Sequence, residues 1–302
     1  MKANTKGISY ICILAAAILW GSIGLFFLFL SVYNLSRMEI VFIRTFTAAV
    51  LLFLYLLLFD RSKLKIRLRD LWMFLGTGVV SLLAFNYCYF SAMEYTSLSV
   101  AAVLLYTAPA FVTLLSAVFF KDRLTGRHIL ALVLTLPGCA IVSGLVSSLL
   151  GGHSAYSAAG ILFGLGSGFG YALYTIFSRV ALKRYDSITI SFYTFVLAGL
   201  GSGLLCNPIH VAKTMQSPFA ILLGVGLAIA TCLAPYLLYT YGLKSVGNSE
   251  ASITATIEPL SATCFSVLLL GEPFTLEKLL GMVLILGAVV IINLPSRHSL
   301  SS

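Results

Sequence analysis

The sequence predicts an all-α integral membrane protein, with ten transmembrane helices arranged as two inverted five-helix repeats. Three observations predict it. The composition is too apolar for a water-covered surface, positive charge gathers on one side of the predicted spans, and the chain repeats itself at a shift of 150 residues. Of the 302 residues, 60% are hydrophobic and 10% charged, and the mean hydropathy is +1.02. A soluble domain carries about a quarter charged residues, because a globular surface needs polar groups to cover it. Here the apolar residues collect in runs of about 20, the length that crosses a hydrocarbon core as a helix.

The first run, roughly 8–30, follows Lys2 and Lys6 as a signal peptide would. It is too long for an h-region and no small-residue cleavage site ends it, so it is read as the first span. Spans at roughly 38–59, 71–93, 99–120 and 127–147 complete a first repeat, residues 1–150. Spans at roughly 157–182, 187–206, 217–242, 249–270 and 276–294 form the second, residues 151–302. The connections at 94–98 and 244–248 are read as short turns.

Charge tests the count of spans. With the N-terminus inside, fifteen Lys and Arg fall on one side: Lys2, Lys6, Arg61, Lys63, Lys65, Arg67, Arg69, Lys121, Arg123, Arg127, Arg179, Lys183, Arg184, Lys244 and Arg297. Only Arg37, Lys213 and Lys278 fall on the other, and Arg44 stays within a span. The positive-inside rule then puts both termini in the cytoplasm of a multi-pass protein, as in a bacterial inner membrane. The net charge of +9 finds its partner in the anionic inner leaflet rather than in nucleic acid. Cys12, Cys88, Cys139, Cys206, Cys232 and Cys264 lie in or beside apolar runs, none at metal-ligand spacing. They read as packing residues; neither a metal nor another cofactor is expected.

The repeat rests on polar matches, which apolar sequences do not produce by chance. At a shift of 150, Tyr89 meets Tyr239, Ser99 meets Ser249, Pro109 meets Pro259, Thr113 meets Thr263, Ser116 meets Ser266 and Thr125 meets Thr275. Lys121-Asp122 falls on Gly271-Glu272 at the ends of equivalent helices. Five helices per repeat is an odd number, so the second repeat enters the membrane from the opposite side. Two halves that exchange slightly different conformations convert an inward-open state into an outward-open one, which places a site between them near the midplane.

Several stretches carry a family resemblance. Tyr239–Leu243, Ser252–Leu260 with its Glu258-Pro259, Leu268–Thr275 with its Gly271-Glu272, and Gly281–Gly287 resemble the EamA-type drug/metabolite transporter superfamily. So do Leu19–Ser22, Phe42–Phe46 and Tyr106–Pro109 in the first half. The resemblance covers nearly the whole chain. It implies a ten-helix secondary transporter with a central cavity, often an exporter, of small organic metabolites such as amino acids or drugs. The implied partners are a small-molecule substrate, the lipid bilayer and a coupling proton or cation. Arg44 stands opposite Thr194 and Ala108 opposite Glu258, so the site between the halves is expected to be asymmetric.

Two ionisable residues lie well inside spans. Glu258 is about nine residues into the ninth, roughly 14 Å deep, where a charge is costly and by default marks a pathway or relay. It is a candidate proton carrier or cation ligand; the bland alternative is an acid bonded to a neighbouring helix beside backbone freed by Pro259. Arg44 lies nearer the outer face, where its planar fork suits a carboxylate; snorkelling, or pairing with Glu39 or Glu94, competes. Trp20, Asn86, Tyr87, Tyr89, Tyr106, Tyr174, Tyr236 and Tyr239 are cavity candidates, because their polar atoms need partners inside the membrane. Packing is the competing role for each. Pro109 and Pro259 occupy equivalent places and are candidate hinges. Gly160, Gly164 and Gly168 recur every four residues as a close-packing stripe.

No Walker sequence is present, and the glycine run 164–170 precedes no strand. A membrane enzyme is the first competing class, but it would need histidines or carboxylates clustered at one face. His128, His153, His210 and His298 are scattered, so no catalytic residue is assigned. A non-transporting assembly protein is the second, and it has no need of a pseudo-symmetric repeat.

Overall fold

The computed structural model describes residues 2–96, 98–142, 157–271 and 273–294. Among them nine helices are long and apolar enough to cross a membrane: α1 (Lys6–Leu30), α2 (Arg37–Phe59), α3 (Leu68–Tyr95), α4 (Val100–Phe120), α6 (Ala158–Ala181), α7 (Ser187–Leu205), α8 (Pro218–Gly242), α9 (Asn248–Leu270) and α10 (Leu276–Asn293). The tenth, α5 (Gly126–Val142), is apolar but shorter than the span expected over 127–147. The last five residues of that expectation lie outside the described residues, as do Glu272, His153, Arg297 and His298. Large apolar side chains such as Leu58, Leu204 and Leu268 point outward and are exposed. That is how a bundle in lipid presents itself, since its surroundings are as apolar as its core.

Polar residues at the helix ends satisfy the free backbone groups. Ser36 and Glu39 form a reciprocal capping box at the start of α2, the Glu39 N–H donating to Ser36 Oγ at 3.2 Å and the Ser36 N–H to Glu39 Oε2 at 2.7 Å. Asp186, Ser217 and Thr275 cap α7, α8 and α10. At the other end, α4 stops on Lys121 and α9 on Gly271, both left-handed at φ 56° and 69°. Their N–H groups close on Ser116 and Ser266. The equivalence of these two exits, anticipated from the repeat, is therefore a shared backbone geometry.

The halves interleave rather than sit side by side. α5 packs on α10 and α2 on α7, each helix meeting its own counterpart. α6 of the second half packs on α3 and α4 of the first, while α1 packs on α8 and α9. Glycines permit these approaches. A Cβ on Gly168 would stand 2.6 Å from Thr107 Oγ1, and one on Gly21 would stand 2.7 Å from Ser261 Cβ. The spacing of Gly160, Gly164 and Gly168 is thus used as expected, against Tyr95, Leu104 and Thr107.

Among the described residues, five irregularities interrupt the helices. α1 breaks at Ser22. α3 and α8 each carry a π-helical segment, at Gly76–Leu83 and Ile229–Leu233. α4 is two half-helices, Leu98–Leu105 and Ala108–Phe120, and α9 is Asn248–Thr254 followed by Ile257–Leu270. In both of these the proline is at the start of the second half-helix, where its missing N–H costs nothing.

At one end, the chain between α2 and α3 is clasped to the turn between α6 and α7. Lys63 Nζ lies 3.0 Å from Asp186 Oδ2, Thr189 Oγ1 donates to the Lys63 carbonyl at 3.1 Å, and Tyr193 Oη donates to the Leu64 carbonyl at 2.6 Å. Burial opposes charge on Asp186, yet the Thr189 N–H and the Lys63 ammonium hold its carboxyl below the ordinary range. Asp70 joins the same clasp by accepting from Arg184 and from Tyr185 Oη. Tyr185, in the turn between α6 and α7, is thus a tether.

Candidate functional site

The breaks in α4 and α9 meet near the centre of the bundle. Leu105, Tyr106, Ala108 and Pro109 from one, and Ser252, Ala255, Thr256 and Glu258 from the other, face each other across a void of about 10 Å³ walled by Tyr171. Such a void is about the size of one water. Beside it opens a cavity of about 500 Å³, lined mainly by α1, α2, α3, α4 and α9, with Val142 of α5 and Lys278 of α10. Phe27, Met93, Leu98 and Lys278 lie toward its mouth, at the end away from the clasp.

Glu258 lines both spaces. It is the second residue of the half-helix Ile257–Leu270, so its carboxyl sits where free N–H groups and the helix dipole favour negative charge. Among the described residues its side chain makes no hydrogen bond, and it faces the two spaces instead.

Arg44 is 3% exposed and lines the same cavity. Its Nη2 donates to Asn86 Oδ1 at 3.0 Å, and Asn86 Nδ2 donates to the Leu82 carbonyl at 2.6 Å, inside the π segment of α3. Arg44 Nε is buried with no partner. Arg44 therefore neither snorkels nor pairs with Glu39 or Glu94. Glu39 is taken by Ser36 and by His210, whose Nδ1 lies 2.9 Å away, and Glu94 lies 3.8 Å from Arg37. Asn86 holds the guanidinium facing the cavity with hydrogen-bonding capacity to spare.

Of the aromatic candidates, Trp20, Tyr89 and Tyr106 line the large cavity, with Phe85 and Phe90 beside them. Tyr174, Tyr236 and Tyr239 lie deeper, around a separate small void that Trp20 and Tyr171 complete. Trp20 packs on Tyr236 and Tyr239 with ring centroids 5.2 and 5.5 Å apart, and Tyr174 on Tyr236 at 4.8 Å. Tyr87 is placed elsewhere. It is half exposed against Phe163 on the outside of α3, because one residue beyond inward-facing Asn86 turns it about 100° away.

Below the aromatic layer the bundle is shut. Tyr174 Oη and Thr240 Oγ1 are 2.7 Å apart, and Thr175 Oγ1 and Tyr239 Oη 2.8 Å, zipping α6 to α8. Arg179 donates to the carbonyls of Leu243 and Val246 in the turn from α8 to α9. Sequence reasoning missed Tyr171 and the two threonines. Tyr171 was within reach, since it lies three residues before Tyr174 and so on the same face of α6.

Comparisons with known proteins agree with this architecture. A model of the EamA-like transporter family matches residues 7–144 and again 158–294. An uncharacterized transporter of Archaeoglobus fulgidus is 33% identical over 217 residues, 70% of this chain and 75% of that one. An uncharacterized inner membrane transporter of Salmonella typhimurium, YicL, is 29% identical over 99% of this chain and 98% of its own. One crystal structure superposes with a TM-score of 0.79 over 97% of this chain and 99% of that one, at 20% identity, a likeness of fold.

Proposed function

Because the chain belongs to the EamA-like transporter family, we propose that it is a secondary transporter that exports small organic metabolites, such as amino acids or drugs, by alternating access. The observation that carries this reading is Glu258: a carboxyl with no hydrogen-bond partner among the described residues, lining an aromatic-walled cavity that the α6–α8 contacts close at one end. Its chemistry suits a solute bearing an ammonium group, with Trp20, Tyr89 and Tyr106 covering the solute's apolar or aromatic part. Arg44 offers a carboxylate two-pronged contact. An amino acid satisfies both residues at once, and an amphipathic amine satisfies Glu258 alone.

In this reading the residues fall into two halves, 1–150 and 151–302, with both termini cytoplasmic at the end holding fifteen of the basic residues. The cavity then opens outward and the Tyr174–Thr240 and Thr175–Tyr239 contacts form the closed inner gate. Pro109 and Pro259 mark where α4 and α9 flex. Glu258 exchanges solute for a coupling proton or cation as the gates alternate.

The test is a thermal-stability screen of the purified chain against amino acids, amines, nucleosides, sugars and drugs, repeated with Glu258→Gln. A ligand of the folded state raises its melting temperature with occupancy. We expect hits among ammonium-bearing solutes, lost in the variant, and counterflow of the same solutes in vesicles. Hits confined to sugars or nucleosides, equal in both proteins, would overturn the assignment of Glu258.

A further inference from the structure

A second hollow, of about 500 Å³, lies at the clasped end, outside the transport pathway. Lys65, Arg67, Arg69 and Arg184 line it together with Asp70, Ile66 and Tyr185. The negative charge of Asp70 is already spent: its carboxylate is 2% exposed and accepts from Arg184 and from Tyr185 Oη. Tyr185 Oη in turn receives the Arg67 N–H at 3.2 Å, which fixes the loop's path. Lys65, Arg67 and Arg69 are left exposed and form no salt bridge among the described residues; Arg69 acts on Asp70 only through space, beside the Arg184 that already pairs with it. Three cations held together by a rigid neutral base repel one another unless an anion joins them.

We propose that this hollow binds a phosphate ester, the chemistry of an anionic phospholipid headgroup. The height of the site favours the lipid as source. The apolar span of α3 begins at Leu68, between Arg67 and Arg69, and Leu68 is 86% exposed. Trp72, one turn further into the span, is half exposed. An amphipathic Trp beside basic residues is what the boundary between headgroups and acyl chains selects. A headgroup on the cations therefore brings its acyl chains against Leu68 and Trp72. Guanidinium groups suit phosphate oxygens through paired N–H donors, and basic pockets at this level are suited to acidic lipids. Because the hollow is built from the α2–α3 connection of one half and the α6–α7 turn of the other, a bound headgroup ties the two halves together.

The test uses the full chain purified in uncharged detergent, with melting temperature and native mass spectrometry read against phosphatidylglycerol, phosphatidylcholine and inorganic phosphate. Phosphatidylglycerol should raise the melting temperature and be retained as a bound lipid, and phosphatidylcholine should not. The triple variant Lys65→Gln, Arg67→Gln, Arg69→Gln should need at least about tenfold more phosphatidylglycerol for the same shift, about 1.4 kcal/mol. The control Lys121→Gln, Arg123→Gln, on a different loop, should match the parent. Single Arg67→Gln and Arg69→Gln variants repeat the titration if the triple variant does not fold. An unchanged response in these variants, or an equal loss in the control, overturns the site. An equal, variant-sensitive shift from inorganic phosphate alone overturns the lipid as the source.

Discussion

In the first half of the molecule α3 carries its π segment at Gly76–Leu83 and α4 breaks at Tyr106–Thr107; in the second, α8 carries one at Ile229–Leu233 and α9 breaks at Ala255–Thr256. These four irregularities stand at equivalent places. The side chains at those places do not. Glu258 lies opposite Ala108, Arg44 opposite Thr194, Asn86 opposite Tyr236 and Trp20 opposite Gly170. Even α1, broken at Ser22, faces an unbroken counterpart in α6. Halves that trade conformations need the bends of α3, α4, α8 and α9 in common, because those bends decide which shapes are accessible; the break in α1 has no such counterpart. They need not share chemistry, because one solute is bound once, between them.

Four experiments break or sharpen that contrast. The largest effect is expected from moving the carboxyl across, with Ala108→Glu and Glu258→Ala together. Losing a desolvated partner for a cationic group costs about 2 kcal/mol or more, roughly thirtyfold in affinity. Solute-dependent stabilisation should therefore vanish; its survival would mean that the halves are chemically interchangeable. Next are the two hydroxyl pairs that join α6 to α8. Tyr174→Phe with Tyr239→Phe removes about 1 kcal/mol per pair, enough to shift the balance of open states by roughly thirtyfold. A cysteine introduced at buried Ser178, in a background without the six native cysteines, should then label faster from the basic face. Unchanged labelling would sink the gate.

The prolines test whether shared bends serve motion. Pro259→Ala should slow flux several-fold while leaving solute binding near its original strength, and Pro109→Ala should act in the same direction. Equal loss of flux and binding would point to packing instead. The smallest effect belongs to the helix exits. Lys121 adopts a left-handed conformation that its equivalent, Gly271, adopts without strain. Lys121→Gly should raise stability by about 1 kcal/mol and Gly271→Lys lower it by a similar amount, read by thermal unfolding. Opposite signs would mean that the loops, not the caps, set these exits.

The element order and the matched helix ends were legible because apolar run length and the matched Pro, Ser and Thr each carry a separate physical constraint; which helices pack together was not. The breaks in α4 and α9 were legible through Pro109 and Pro259. The π segments were not, because a widened turn removes no residue from an apolar run; the only trace is that Gly76 and Gly226 stand at the same shift of 150. Glu258 and Arg44 announced themselves by the cost of burying charge. The role of Asn86 in holding Arg44, and of Thr175 and Thr240 in closing α6 on α8, depended on contacts between helices far apart in sequence. Tyr87 illustrates the same limit from the other side: run length places a residue at a depth, but only packing decides which way it faces.

The closing contacts between α6 and α8 are made by neutral hydroxyls. A membrane potential does work on charge moved through it, about 2.3 kcal/mol per elementary charge per 100 mV, and it does none on a tyrosine parting from a threonine. These pairs therefore open at the same energetic cost in a polarised and a depolarised membrane. The voltage sensitivity of a transport cycle built this way is set by the charges that travel through it, by those lining the cavity and by Arg179 where it holds the turn from α8 to α9. Current recordings with a neutral and a singly charged solute would read that difference directly.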